Sequence, residues 1–377
     1  MTGLAECSTP SLVLDRDRLV RNAGAMVARC HARGVRLRPH MKTLKSADAA
    51  RLAVDPTHGG IAVATLKEAE YFAAHGFSDI QLAVCLSPDK LARAAAIATV
   101  APLFGFFIDS VDMARSVAER VRRDGGTFRV WLEVDCGEHR TGFDPDGPDL
   151  LDAAQELQAI AGVTLVGIAC HAGHAYAART AAEIAAIAEE ERRVVAVAAD
   201  RLRAAGLGPL ATSVGSTPTA VHGGSAGGLS EIRAGVYMAG DLFQVDIGSQ
   251  PRDSLAVTVL ASVISHNRAR NQIVIDAGGL ALSKDRSTAG RGDGDFGYGL
   301  VLDIAGAARF DHLCVVDVHQ EHGEIRSDRP LPFEALPIGA KVRIAPNHVC
   351  MTAAMYDEYL VVEGGEVVAR WRRTNGW

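Results

Sequence analysis

A few polar residues in this chain have types and spacings that could do chemistry. Lys42, in RLRPHMKTLKS, follows an apolar run that ends at Pro39, and proline biases the residue before it toward extended backbone. A lysine desolvated at such a position loses its proton near neutral pH and becomes a nucleophile toward a carbonyl. Lys45 competes for that role, and an ordinary surface lysine at a helix start is the plain alternative. In SVGSTPT, residues 213–219, Gly215 permits close backbone approach, Ser216 and Thr217 bring hydroxyls and N–H groups, and Pro218 suits a first helical turn. The segment is either a phosphate cradle at a helix start or a turn with a serine cap. His348 and Cys350 stand at i and i+2 in KVRIAPNHVC. On an extended segment they share a face. Imidazole plus thiolate is then a zinc-type pair, completed by water, substrate or a carboxylate such as Asp317, Asp357 or Glu358. A capping histidine beside a buried free thiol is the alternative.

Three further clusters belong with these. His171 and His174 in ACHAGHAY suit a proton relay, ligation or the orientation of a cofactor. Arg140 follows Glu133 and Asp135 and either holds a cofactor or substrate oxygen or pairs with those acids. Tyr237 and Asp241 follow the last apolar run of the first two-thirds, and Gln320–Gly323 (QEHG) either borders a site or caps a hairpin.

Such residues need elements to hold them, and the chain repeats one unit. Apolar runs at Val35–Pro39, Ile61–Ala64, Ile80–Val84, Leu103–Ile108, Phe128–Asp135, Thr164–Cys170 and Leu210–Val214, with a weaker eighth at Ile232–Ala239, alternate with Ala- and Arg-rich helical stretches. Near-continuous apolar runs joined by helices indicate parallel strands covered on the outside. Eight of them favour closure into a (β/α)8 TIM-like barrel over an open sheet, and no GxGxxG follows the first run. In a barrel the working residues sit at the C-terminal strand ends, where His40, Lys42, Arg140, His171, Gly215, Ser216, Thr217 and Tyr237 all fall. After about residue 250 the texture becomes extended and Val-rich, which reads as a mainly antiparallel β-domain. The expected division is a barrel over 16–250 and a β-domain over 251–377, with 8–15 as a strand that joins the latter. Ser283–Leu300, rich in Gly and Asp, reads as a loop, on the surface or at a site rim.

Composition narrows the classes. Of 377 residues, 48% are hydrophobic and 22% charged, which excludes wholesale disorder. The net charge of −6 and the short arginine runs argue against a nucleic-acid surface. No uninterrupted apolar stretch approaches a membrane span, and the N-terminus lacks the pattern of a secretory signal. Seven scattered cysteines without CxxC spacing read as reduced thiols of a cytoplasmic protein.

Together the blocks TPSLVLD, RPHMKTLKS, EVDCGEHRTG, HAGHAY, SVGSTPT, EIRAGVY, QEHG and PNHVC resemble, in order and spacing, the pyridoxal-phosphate enzymes of the alanine-racemase-like fold (fold type III). The similar branch contains D-threonine aldolases, D-serine dehydratases and D-threo-3-hydroxyaspartate dehydratases. The resemblance implies pyridoxal 5'-phosphate at a barrel mouth, with Lys42 as its Schiff-base lysine and Gly215, Ser216 and Thr217 holding its phosphate. Arg140, His171 and Tyr237 are implied as further cofactor contacts, with His171 also a base. A divalent metal falls on His348 and Cys350, with Zn2+ ahead of Mn2+ or Mg2+. A D-amino-acid substrate and a homodimer with sites near its interface are implied, without nucleic-acid or membrane partners.

What the resemblance implies is a lyase acting on D-β-hydroxy-amino acids. The histidine-x-cysteine pair looks like the dehydratase side, which yields a 2-oxo acid and ammonia, whereas D-threonine aldolases tend to carry histidine-x-aspartate there. Retro-aldol cleavage to glycine and an aldehyde is the alternative. A racemase would need a second base that no residue marks, and pyridoxal-phosphate binding modules lack a β-domain like the last part of this chain.

Overall fold

The protein is described by a computed structural model covering residues 2–289, 294–310 and 312–377. Residues 290–293, inside the segment read from sequence as a loop, lie outside the described residues.

The chain opens with two short strands, β1 (Thr2–Gly3) and β2 (Ser11–Asp15), and a long helix, α1 (Arg16–Ala32). Eight strands follow: β3 (Arg36–Pro39), β4 (Ile61–Val63), β5 (Ile80–Cys85), β6 (Gly105–Ile108), β7 (Phe128–Glu133), β8 (Val163–Ala169), β9 (Ala211–Val214) and β10 (Glu231–Ala234). Each is followed in the chain by a helix: α2 (Ala47–Ala53), α3 (Leu66–Ala74), α4 (Leu91–Val100), α5 (Val111–Asp124), α6 (Pro148–Gln158), α7 (Ala181–Ala204), α8 (Thr217–His222) and α9 (Leu242–Asp246). The eight strands are parallel in the order β3-β10-β9-β8-β7-β6-β5-β4. A bridge between His40 and Ala62, beyond the end of β3, closes the ring. This is the (β/α)8 barrel that the repeated apolar runs predict.

Local chemistry explains where the helices start. Thr65 and Ser110 cap α3 and α5 by accepting N–H groups of Glu68 and Met113. Gly125, at φ +69°, ends α5. The outward faces of β5 to β8 bury Ile80, Phe106, Val130 and Ile168. The barrel interior is less apolar. Glu231, fully buried, accepts from Arg38 at 2.9 Å, Gln81 at 3.1 Å and the Ser213 hydroxyl at 2.6 Å, and Arg36 approaches it to 2.7 Å. Glu231 and Arg233 alternate along β10, so both project inward.

A second sheet holds the remaining strands: β11 (Val257–Asn267), β12 (Gln272–Ile275), β13 (Leu300–Leu302), β14 (Cys314–Val318), β15 (Gly323–Arg326), β16 (Lys341–Ala345), β17 (Glu358–Glu363) and β18 (Glu366–Arg372). Its order is β1-β18-β17-β2-β11-β12-β15-β14-β13-β16, and β16 returns to pair with β11 in a barrel-like arrangement. All pairings are antiparallel except β17 with β2. Ser11–Asp15 therefore belongs to this sheet, between β17 and β11. Two of its strands, β13 and β15, are absent from the extended segments expected from sequence; β13 follows directly on the Gly-rich segment and β15 begins at the glycine that ends QEHG. Gln320–Gly323 is the β14–β15 hairpin turn, closed by the His319 N–H to the His322 carbonyl at 2.9 Å.

Packing divides the chain into two compact units. One comprises Gly24–Lys42 and Ala53–Gly235 with the last two residues, and the other comprises Thr43–Leu52, Val236–Asn375 and the N-terminal residues to Ala23. Among the described residues, no helix is long and apolar enough to cross a membrane. All seven cysteines are free thiols.

Candidate active site

At the C-terminal end of the barrel strands, His40, Lys42, His171, Arg140 and Arg233 form one electrostatic group. The His40 N–H donates to the Ala234 carbonyl at 2.7 Å, and the Lys42 N–H lies 3.3 Å from His40 Nδ1. The Lys42 side chain itself is exposed. His171 follows β8, and its Nδ1 lies 2.8 Å from the Gly215 carbonyl. A carbonyl only accepts, so Nδ1 carries the proton and Nε2 keeps its lone pair. Desolvation drives the His171 pKa down to about 3; the Gly215 bond opposes this, while the charges of Lys42, Arg140 and Arg233 reinforce it. His40 is likewise held well below its ordinary value by desolvation, then by Lys42, Arg233 and His171. Both rings are neutral at physiological pH.

Arg233 pins this end together. It is buried, donates to the Ser213 hydroxyl and, at 2.6 Å, to the Cys170 carbonyl, and lies 5.2 Å from the centre of the Phe107 ring. One guanidinium thus touches residues at the ends of β6, β8 and β9. Its signal in sequence is the E-x-R alternation of EIRAGVY, which places an arginine one layer above a buried glutamate.

The loop after β7 presents Arg140. Asp135 accepts the N–H groups of Gly137 and His139 and contacts the His139 ring at 2.7 Å, and these bonds hold its pKa low although burial opposes them. Arg140 pairs with Glu138 at 3.2 Å rather than with Glu133 or Asp135. Glu138 also accepts the Gly173 N–H at 3.2 Å, which ties this loop to the HAGHAY turn. His174, in that turn, keeps a buried Nδ1 with no hydrogen-bond partner among the described residues.

The segment after β9 is capped as one of its two readings expects. Ser216 accepts the Thr219 N–H at 3.3 Å and the Thr219 hydroxyl accepts the Ser216 N–H at 3.0 Å, a reciprocal capping box at the start of α8. Ser216 and Thr217 are buried. Gly215 has φ +136°, and a Cβ there would lie 2.1 Å from the Arg233 carbonyl oxygen, so only glycine fits. The Gly215 N–H donates to Glu191 at 3.0 Å, and the same carboxylate oxygen accepts the Ala172 N–H at 2.9 Å. Glu191 lies on α7, fully buried, with its pKa raised by burial against those two bonds. It holds the loops of His171 and Gly215 in one register, and sequence reasoning missed it.

The second unit carries the histidine–cysteine pair. The expectation of an extended segment is corrected here: His348 is the N-cap of a short helix, α10 (Val349–Thr352), with Cys350 in its first turn. The two side chains still interact, since Cys350 helps to raise the His348 pKa. His348 Nδ1 lies 3.1 Å from Asp285, and Cys350 Sγ lies 3.2 Å from the Thr43 hydroxyl. Buried Asp241 accepts the N–H groups of Gln244 at 2.9 Å and Val349 at 3.0 Å, fixing the turn. Burial lowers the His348 pKa, but Asp285, Cys350 and Asp241 more than reverse this and raise it to about 10. Burial raises the Asp285 pKa, yet its bonds to His348 and Ser287 bring it down to about 2. The carboxylate at the pair is therefore Asp285, from the segment read only as a loop. The carboxylates weighed from sequence are engaged elsewhere: Asp317 accepts the Val318 N–H, Glu358 pairs with Arg370, and Asp357 contacts Asn375. Tyr237 is buried in the turn after β10, where its carbonyl accepts from Gln250 at 2.8 Å.

Residues 14–242 match the family model "Alanine racemase, N-terminal domain", and residues 256–362 match "Putative serine dehydratase domain". The chain is 39% identical to a D-threo-3-hydroxyaspartate dehydratase of Delftia sp. (strain HT23), covering 99% of both chains. The solved structure of that relative superposes with a TM-score of 0.94 over 100% of both chains. D-threo-3-hydroxyaspartate dehydratase has also been solved as a cysteine-to-alanine variant in the metal-free form and as a histidine-to-alanine variant, with one residue between the two positions. A D-serine dehydratase of Dictyostelium discoideum is 30% identical, with 97% of this chain and 96% of the relative covered. A D-threonine aldolase of Arthrobacter sp. is 29% identical, with 98% and 92% covered.

Proposed function

This chain belongs to the alanine-racemase-like family, in the branch of the D-threo-3-hydroxyaspartate dehydratase, the D-serine dehydratases and the D-threonine aldolases, and on that premise we propose a dehydratase of D-β-hydroxy-amino acids. Its substrates are D-threo-3-hydroxyaspartate, D-serine or D-threonine, its products a 2-oxo acid and ammonia, and its helpers pyridoxal phosphate and a divalent ion, Zn2+ first. The observation that carries the dehydratase reading is the His348–Cys350 couple, whose spacing matches that of the histidine and cysteine replaced in the solved relative.

The residues present fit both groups. Lys42 is an exposed amine beside two neutral imidazoles, and the glycine-only turn at Gly215 leads into a buried serine and threonine. His348 and Cys350 supply a nitrogen and a sulfur donor, a pair that suits a borderline ion, and Asp285 stands behind the imidazole at 3.1 Å. We take 16–250 as the cofactor-binding domain and 251–377, with strand 8–15, as the domain that carries the metal pair.

When bound, pyridoxal phosphate supplies an electron sink at the substrate α-carbon, and the metal supplies Lewis acidity at the β-hydroxyl. The chain's own residues do the rest. Lys42 carries the cofactor at rest and, once released, removes the α-proton. Gly215, Ser216 and Thr217 hold the phosphate, and Arg140 and Tyr237 steady the cofactor. His171, its Nδ1 proton committed to Gly215, offers Nε2 as a neutral acceptor for a proton or a ring oxygen. Asp285 orients the His348 ring, as a carboxylate behind a ligating imidazole does. The active assembly is a homodimer in the cytoplasm.

The experiment is product analysis. Protein loaded with pyridoxal phosphate and Zn2+ is incubated with each of the three D-amino acids. Equal amounts of 2-oxo acid and ammonia are expected from at least one. Glycine and an aldehyde from every substrate would overturn the dehydratase reading in favour of retro-aldol cleavage.

A further inference from the structure

We infer that His31, Asp55 and His58 form a second divalent-metal site, at the opposite end of the barrel from Lys42, for a borderline ion such as Zn2+ held by two imidazole nitrogens and one carboxylate. The donor atoms of the three side chains all lie within 4.8 Å of one another. His31 sits in the last turn of α1, which leads into β3, and Asp55 and His58 belong to the loop that leads into β4. Both loops join helix to strand and so lie at the N-terminal strand ends.

The carboxylate is the unusual partner. Asp55 is completely buried, yet the hydrogen bonds to its side chain come from the Thr57 N–H at 2.9 Å and the His31 ring nitrogen Nε2 at 2.8 Å, with no lysine or arginine among them. Its carbonyl accepts the His58 N–H at 3.3 Å and the Gly59 N–H at 2.8 Å, which curls the loop back over the carboxylate. Gly59 and Gly60, at φ +60° and +79°, allow that curl. The two imidazoles then stand nearly perpendicular, at 88°, with centroids 5.7 Å apart. A plain ion pair needs one histidine, whereas here two converge on one buried oxygen pair. Tetrahedral zinc with bonds of about 2.0–2.1 Å wants donors roughly 3.3 Å apart, so small side-chain rotations close the set around an ion and leave water in the fourth position. Both histidines are exposed, so the ion has an entry path. The cluster of Asp317, His319 and Glu324 is a weaker candidate, because Glu324 is already shared between His319 and Arg326.

Such an ion would staple the end of α1 to the loop before β4, a structural rather than a reacting role. The test uses full-length protein loaded with pyridoxal phosphate, equilibrated with Zn2+ or Co2+, freed of unbound ion by gel filtration and analysed for metal content. Two ions per chain are expected, falling to one in His58→Ala, one in Cys350→Ala and none in the double variant. With Co2+, Cys350→Ala should lose thiolate-to-metal absorption and retain the weaker bands of a nitrogen–oxygen site, and those bands should vanish when His58→Ala is added. Zn2+ should also raise the melting temperature of Cys350→Ala by a few degrees but not that of the double variant. Unchanged metal content in His58→Ala, or a Cys350→Ala protein that binds no ion, would overturn the inference. Loss of the thiolate-linked ion alone would instead strike at the proposed function and leave this site standing.

Discussion

The carboxylate of Glu191, buried on α7, accepts the backbone N–H of Gly215 at 3.0 Å while its same oxygen takes the N–H of Ala172 at 2.9 Å. One side chain therefore sets the positions of the two loops that present His171 and the Gly-Ser-Thr turn. Glu191→Ala orphans both donors, at a cost of about 1–3 kcal/mol for each buried group left unpaired. The expected outcome is a lowered unfolding midpoint and faster loss of pyridoxal phosphate on dialysis, with Glu191→Gln, whose amide oxygen still accepts, recovering much of both. A Glu191→Ala protein that retains cofactor like the parent would contradict the positioning role.

Glu231 makes an acid-stability prediction. Burial raises its pKa, but Arg38, Arg36, the Ser213 hydroxyl and Arg233 more than offset this and bring it down to about 2. The folded value lies below the unfolded one, so the stabilisation is fully present above the ordinary glutamate range and is lost as pH falls from there toward 2. Denaturant unfolding measured through that window should show a steep loss of stability. Glu231→Gln should cost about 1–3 kcal/mol at neutral pH, because it withdraws a buried carboxylate from Arg36 and Arg38 while Arg38 keeps its pair with Asp79, and should flatten the acid limb.

His171 is neutral in the folded protein, with its pKa brought to about 3. It should therefore contribute no limb to the pH–rate profile across the neutral range. His171→Asn should lower kcat by about 10²–10⁴-fold if the ring transfers a proton, and by the same factor at every pH from about 6 to 9. A variant that changes the profile's shape instead would mean that the ring titrates during turnover.

Asp285 stands 3.1 Å behind the His348 ring. Removing such an outer partner typically weakens metal binding by about 10–100-fold. Asp285→Ala should show that loss in a Zn2+ competition titration while the unfolding midpoint of the metal-free protein moves little. Unchanged affinity would mean that the pair orients itself without the carboxylate.

The barrel was legible because seven of its strands are apolar runs followed by helical stretches. The eighth, Glu231–Ala234, looked weak because its inward positions carry Glu231 and Arg233, partners of Arg36, Arg38 and Ser213 in a polar barrel interior. Hydrophobic patterning weakens where inward side chains are charged and paired, as at Glu231 and Arg233 here and at Arg36 and Arg38 of β3. Leu300–Leu302 and Gly323–Arg326 escaped for a different reason, since strands of three and four residues beside glycine-rich turns have no period to detect.

The same limits apply at the site. Lys42, Arg140, His171 and Gly215 fall at strand ends, where position alone marks them. Glu191 lies in EEERR, a stretch that reads as a solvated helix face. Glu189 and Glu190 do pair there with Arg192 and Arg193, and only the three-dimensional packing turns Glu191 inward. Asp285 was hidden because its partner His348 is 63 residues away in the chain.

The proposed function stands on Lys42 as the residue that bears the cofactor. Borohydride reduction of the loaded protein, followed by digestion and mass spectrometry, should find the pyridoxyl mass on Lys42 and nowhere else, with Lys42→Ala unlabelled. Label on Lys45, or undiminished labelling of Lys42→Ala, would contradict it.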